Sequence, residues 1–200
     1  MTIGLIFECG PQGADKLVCE YLAAYIRPGV ALSCRTLDNK ENLLCDAGKV
    51  AAQLIKDGCT CVLIVWDLRP AWPDKKDKAC RAAERQQLLD VLGQAVPAAA
   101  PVYLVCIEQE LESWLLACDH AIEALLSTAA HAYGVPRVRK PDAVTQPKAA
   151  LIKHFKAARG WRYDDKVDAV RVLKAAAIDL GRLRRSVSFA RFESKLLSCA

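Results

Sequence analysis

The run Cys59-Thr-Cys-Val-Leu-Ile-Val-Trp-Asp67 decides the fold class. From Cys59 to Trp66 it is apolar with no alternation, and a strand of that kind is covered on both faces, as in a parallel sheet flanked by helices. Upstream, Asn42 to Lys56 has helical spacing in Leu43, Leu44, Val50, Leu54 and Ile55, and Gly58 closes it. Val30 to Leu37 reads as a strand. Ala14 to Ile26 reads as a helix with Leu17, Val18, Tyr21, Leu22 and Tyr25 on one face, stopped by Arg27-Pro28-Gly29. Thr2 to Phe7 is a short apolar strand ending in turn chemistry, Glu8-Cys9-Gly10-Pro11-Gln12-Gly13. Downstream come a loop over Asp67 to Lys76, a helix over Asp77 to Leu92, and a buried strand over Pro101 to Ile107.

Strand and helix thus alternate through Ile107, which predicts right-handed crossovers and a parallel sheet. Only helices follow: Leu111 to Cys118, Ala121 to Tyr133, Ala149 to Ala158, Lys166 to Leu180 and Ser188 to Leu197. A basic, Pro-containing loop spans Val135 to Pro147. The expected architecture is α/β: an open, mainly parallel sheet of about four strands flanked by helices over residues 1–118, with a helical basic extension over 119–200 packed on it.

The composition fits this. The chain has 200 residues, of which 53% are apolar and 26% charged, which excludes a disordered chain. No apolar run approaches the roughly 18 residues that span a bilayer, so no membrane partner is expected. The N-terminus lacks the positive region of a secretory signal, so the expected location is cytoplasmic. The ten cysteines are then expected to be reduced. Cys9, Cys19, Cys34, Cys45, Cys80, Cys106 and Cys118 read as small hydrophobes, with Cys9 set apart by its place on a candidate site loop. Cys59-x-Cys61 falls on one side of its strand by the period of two. No paired C-x-x-C occurs and there are three histidines, which argues against zinc. Gly10 to Lys16 lacks the spacing of a phosphate-binding loop, and no G-x-S-x-G elbow is present.

The acids carry more information. Glu8 follows the first strand, Asp67 the third and Glu108 the fourth, with Glu110 and Glu112 just beyond. In an open parallel sheet the C-terminal strand ends line one ligand-binding edge, and neighbouring strands are about 4.8 Å apart. Carboxylates from several strand ends can therefore converge on one cation. Oxygen ligands alone suit Mg²⁺ or Mn²⁺. The competing reading makes Glu8 a helix cap, Asp67 a turn residue, and Glu108 and Glu110 the acidic first turn of a helix. Trp114, Leu115 and Leu116 pin the helix that carries Glu112.

Charge divides unevenly. Residues 1–133 hold 12 Lys+Arg against 17 Asp+Glu, and residues 134–200 hold 16 against 6. A basic tail fits a polyanionic partner, with Arg139, Lys140, Lys148, Arg184 and Arg185 as candidate nucleic-acid contacts. The alternative is a solvated helical face. Phe189 and Phe192, three apart on a helix, read as core.

Ile6-Phe7-Glu8-Cys9-Gly10 after the first strand and Val65-Trp66-Asp67-Leu68-Arg69 after the third resemble the Toprim domain of topoisomerases, primases and overcoming-lysogenization-defect nucleases. Glu110-Leu-Glu112-Ser-Trp114-Leu-Leu-Ala117, Gln146-Pro147-Lys148 and Ser188-Phe-Ala-Arg-Phe192 are similar to a Toprim-like bacterial family, the domain of unknown function DUF4276. This resemblance implies Mg²⁺-dependent phosphodiester chemistry, with Glu8 as general acid or base and Asp67 on the metal. A second Asp of the Toprim pattern is replaced by Arg69. Glu112, Glu110 or Asp74 would supply the missing oxygen; otherwise Arg69 would hold a phosphate at a site that cuts poorly. The resemblance further implies a nuclease of bacterial anti-phage defence, a companion ATPase and a homodimer. The alternative is a non-catalytic subunit that binds a protein or nucleic acid. A weaker option is a thiol switch on Cys9.

Overall fold

The computed structural model describes residues 1–70 and 80–199. The predicted loop and helix start between Ala71 and Ala79, and with them Asp74, lie outside the described residues.

Four strands, β1 (Thr2–Phe7), β2 (Ala31–Thr36), β3 (Cys61–Asp67) and β4 (Val102–Ile107), form one all-parallel sheet in the order β2-β1-β3-β4. The central pair is buried on both faces, as their unbroken apolar runs require. On one face Ile6, Val62, Ile64 and Trp66 meet α2 (Lys40–Lys56) and α3 (Arg81–Ala95). Gly48 permits the close crossing of these helices, because a Cβ there would overlap the Val91 carbonyl. On the other face Ile3, Leu5, Phe7, Leu63 and Val65 meet α1 (Ala14–Ile26) and the later helices. These are α4 (Glu112–Ala117), α5 (Asp119–Leu126), α6 (Pro147–Arg159), α7 (Asp165–Lys174), α8 (Leu180–Leu183) and α9 (Val187–Ser198). The buried residues of this face form one core that runs from Ile3 to Cys199, so the C-terminal helices share their interior with the sheet. No helix among the described residues is long and apolar enough to cross a membrane.

Trp114 is fully buried and lies 5.4 Å and 5.3 Å, centroid to centroid, from Phe189 and Phe192, which places both phenylalanines in the core. Its indole N–H donates to Ser188 Oγ at 2.8 Å. Asp142 gathers the surrounding polar groups, accepting from the Ser188 N–H at 2.9 Å and Ser186 Oγ at 2.7 Å.

Several boundaries differ from the sequence expectation. The second helix begins at Lys40, because Asn39 accepts from the Asn42 N–H at 2.9 Å and caps it. The helix expected over Ala121 to Tyr133 ends at Leu126. There the chain turns back: the Tyr133 N–H donates to Ser127 Oγ and the Val135 N–H to Glu123. The helix expected over Lys166 to Leu180 ends at Lys174, and Asp179 caps the short α8. The cysteines also depart from expectation. Cys61 and Cys199 are joined in a disulfide, because the end of α9 returns to the start of β3 and brings their Cα atoms to 5.6 Å. Cys59 precedes β3 and sits in the opposite core from Cys61, since the period of two holds only within the strand. Cys45 and Cys80 are exposed, on the outer side of α2 and at the α3 N-cap.

Candidate functional site

The connection from β1 to β2 runs to one side of β1, and the connection from β2 to β3 crosses to the other. The C-terminal ends of β1 and β3 therefore flank a switch point, where a crevice opens in sheets of this kind. A cavity of about 540 Å³ stands there. It brings together Glu8, Asp15, Asp67, Arg69, Glu110 and Glu112, with Lys148 and Asp165 from the C-terminal helices.

Local backbone geometry holds these groups. The loop after β1 is tight: the Gly13 N–H donates to Gly10 O at 2.8 Å, and a Cβ on Gly13 would overlap the Cys9 side chain. Pairing of β3 with β4 continues past the strands through the Leu68 N–H to Ile107 O at 2.7 Å and the Arg69 N–H to Gln109 O at 3.2 Å. That fixes Arg69 beside the segment carrying Glu110. Asp67 Oδ2 accepts the Leu111 N–H at 3.3 Å at the entrance to α4, while its Oδ1 is buried with no partner among the described residues. Glu8 Oε2 is orphaned in the same way. Buried polar atoms normally find partners, so two orphaned oxygens in one cavity are an anomaly that asks for an explanation.

The C-terminal extension closes the far wall. Glu112, 4% exposed, accepts the Tyr163 hydroxyl at 3.4 Å. Lys148 Nζ pairs with Asp165 at 2.7 Å and lies 4.0 Å from Glu112, and its backbone N–H donates to Glu110 at 3.2 Å. Beneath the opposite wall, Lys40 Nζ donates to Leu68 O at 3.0 Å and Pro70 O at 2.9 Å, and it pairs with buried Glu84 at 3.3 Å.

Crowded, dehydrated carboxylates resist ionisation. Burial pushes Glu8 up to about 8, against the pull of Lys40 and with help from Asp15. Burial and then the Asp165 charge raise Asp15 to about 6. Asp67 is raised well above the usual carboxylate range by burial, then by Asp15, Glu8 and Glu112. Burial lifts Glu112 to about 7 although Lys148 opposes it. Burial and Asp15 push the Cys9 thiol up to about 12, the opposite of what a reactive thiolate needs.

These groups are hard oxygen donors with an excess of negative charge. Among the described residues no three His, Cys, Asp or Glu side chains stand together as a metal cage. Mg²⁺, however, is commonly attached by one or two carboxylates and completes its shell with water and substrate phosphate. The orphaned oxygens of Glu8 and Asp67 fit that smaller requirement.

The other candidates fall elsewhere. Glu108 turns away to Arg81 and to Arg191 at 3.3 Å. Arg139 and Lys140 are exposed and do not line the cavity. Arg184 makes a two-bond contact with Glu193 at 2.7 Å and 2.8 Å. Arg185 bonds Ala117 O, Asp119 and, at 2.9 Å, Val138 O, so it fastens the loop before Pro141 to the end of α4. Asp15, Asp165, Tyr163 and Lys40 are site residues that the sequence did not flag. Asp15 alone left a signal, as an acid in the first helical turn after the Glu8 loop.

No curated protein and no solved structure matches this chain. The family described as Domain of unknown function (DUF4276) matches residues 12–197, a span that begins just after Glu8 and includes the Glu110 to Ala117 segment, Lys148 and the α9 motif. The chain belongs to the DUF4276 family.

Proposed function

We propose that the chain is a Mg²⁺- or Mn²⁺-dependent nuclease whose active site is the carboxylate cavity and whose partner is nucleic acid. The observation that carries this reading is the pair of buried oxygens of Glu8 and Asp67 at the sheet's switch point, both without a partner among the described residues. The likeness of these two positions to the Toprim pattern supports it. Glu8 and Asp67 would hold the ion, which when bound supplies polarisation of a phosphate and a more acidic water. In the ion-free chain burial raises Glu8 from its ordinary value of 4.5 to about 8, so it carries a proton near neutral pH that it would release as the ion binds. Arg69 lines the same cavity and offsets charge developing on phosphate oxygens. Lys148 limits the repulsion between Glu112 and Asp165 and keeps the far wall assembled. Exposed Arg139 and Lys140 supply backbone attraction for the strand.

A second reading, a non-catalytic nucleic-acid- or protein-binding subunit, is favoured by Arg69 at the position of the second Toprim Asp and by the lack of a three-acid cage among the described residues. Incubation with plasmid and with single-stranded DNA and RNA, with and without Mn²⁺, separates the two. The nuclease reading expects Mn²⁺-dependent cleavage that Asp67→Asn removes. Binding without cleavage under every condition supports the second reading, and cleavage that survives Asp67→Asn contradicts the site assignment.

A further inference from the structure

A second cavity, of about 220 Å³, lies at the outer edge of β4 on the α2–α3 face. Among the described residues it is lined by Trp66, Arg81, Arg85, Leu104, Cys106 and Arg191. Its guanidiniums come from both sides of the sheet. Arg81 and Arg85 stand one turn apart on α3, and Arg191 reaches round the edge from α9. Arg191 Nη1 donates to Cys106 O at 3.0 Å, and Nη2 meets Glu108 Oε1 at 3.3 Å. Arg81 bonds that same carboxylate oxygen. One glutamate is thus shared by two arginines while a third lines the cavity with them. Nearby Glu84 is already matched by Lys40 and by the Trp66 indole N–H at 2.9 Å. Burial holds the Cys106 thiol protonated, so it adds no negative charge. Among the described groups the cavity therefore carries a surplus of positive charge. Arg81 also opens the 15-residue α3, whose N-terminal end adds to the positive field.

Arginine forks suit a tetrahedral oxyanion, because each fork pairs two N–H groups with two oxygens. The volume admits a phosphate group. We propose that this cavity is a phosphate-binding site, separate from the carboxylate cavity and independent of the nuclease reading. The phosphate belongs either to the backbone of a nucleic-acid strand or to a free anion.

The test is titration of the full chain with inorganic phosphate by calorimetry, using wild type, Arg85→Gln and Glu8→Gln. Arg85 is exposed on a helix, so its replacement leaves the fold intact. The expected result is saturable binding that weakens by about tenfold or more in Arg85→Gln, the loss of one charge-assisted contact, and is unchanged in Glu8→Gln. A parallel arm measures affinity for a single-stranded oligonucleotide against salt. If the phosphate comes from nucleic acid, Arg85→Gln flattens the logarithmic salt slope by about 0.7 to 1. If it comes from a free anion, inorganic phosphate binding falls and the oligonucleotide slope stays. Phosphate binding that is absent from wild type, unchanged in Arg85→Gln, or lost in Glu8→Gln overturns the proposal. Failure of the nuclease assay leaves each of these results unaffected.

Discussion

Replacing Glu8 with Gln is expected to remove Mn²⁺-dependent cleavage and, in the absence of divalent ions, to raise the melting temperature at pH 8. The two effects have one cause. Glu8 sits in a pocket whose burial and neighbouring acids oppose its charge. The folded chain keeps the Glu8 proton up to about pH 8, while the unfolded chain releases it near the ordinary value of 4.5. Between those values the folded state binds more protons, so stability falls as pH rises through that window. Glu112, raised to about 7, and Asp15, raised to about 6, act in the same direction. A neutral amide of the same shape removes one source of repulsion. Each kcal/mol regained is worth about 2–4 °C in a chain of this length. The same substitution removes a metal-holding oxygen and a proton acceptor, for which a loss of about 10²–10⁴-fold in rate is expected. Mn²⁺ should stabilise wild type at pH 8 more than at pH 5, because only the folded form presents the paired carboxylates and at pH 5 they hold protons the ion must displace. Glu8→Gln should show little of that gain. Thermal melts at the two pH values, with and without Mn²⁺, check the sign. A melting temperature lowered by Glu8→Gln at pH 8 contradicts the account.

Lys40→Met is expected to cost about 3–5 kcal/mol, the penalty for leaving a buried charge without its partner. Lys40 and Glu84 are 7% and 5% exposed, and Lys40 also binds the carbonyls of Leu68 and Pro70 on either side of Arg69. Met fills the same space but leaves Glu84 dehydrated, with the Trp66 indole as its remaining donor among the described residues. Glu84→Gln added to Lys40→Met should recover a large part of the loss, since a neutral amide is cheaper to bury. The Leu68 and Pro70 carbonyls stay unmatched, so recovery is incomplete. Denaturant unfolding of the single and double variants measures both. A single variant as stable as wild type would show that this pair does not hold the loop at the cavity edge.

The sheet was legible because its strands are short apolar runs whose burial is dictated locally: β1, β3 and β4 are marked by their own residues. Glu8 and Asp67 were legible for a related reason. In a parallel sheet the residues at and just past the C-terminal end of each strand share an edge with their neighbours, so chain position predicts spatial position. Lys148 was visible as a basic residue, but its pairing with Asp165 and Glu112 depends on how α6 and α7 seat against α4. Lys40 was hidden because its partner Glu84 lies 44 residues away across two helices. Arg184 and Arg185 show the reverse: they read as a free basic cluster, yet their donors are taken up by Glu193, Asp119 and main-chain carbonyls. The Cys61–Cys199 bond was out of reach for the same reason, since 138 residues separate its ends. Helix α5 stops early because the side chains of Ser127 and Glu123 redirect the backbone, and beyond the end of α7 at Lys174 an Asp179 cap starts the separate α8.

If Glu8 and Asp67 together hold a divalent ion, crystals soaked in Mn²⁺ give a single strong anomalous peak beside both carboxylates, and the peak is lost in Asp67→Asn. Fully soaked crystals with no peak between these two side chains would contradict that assignment.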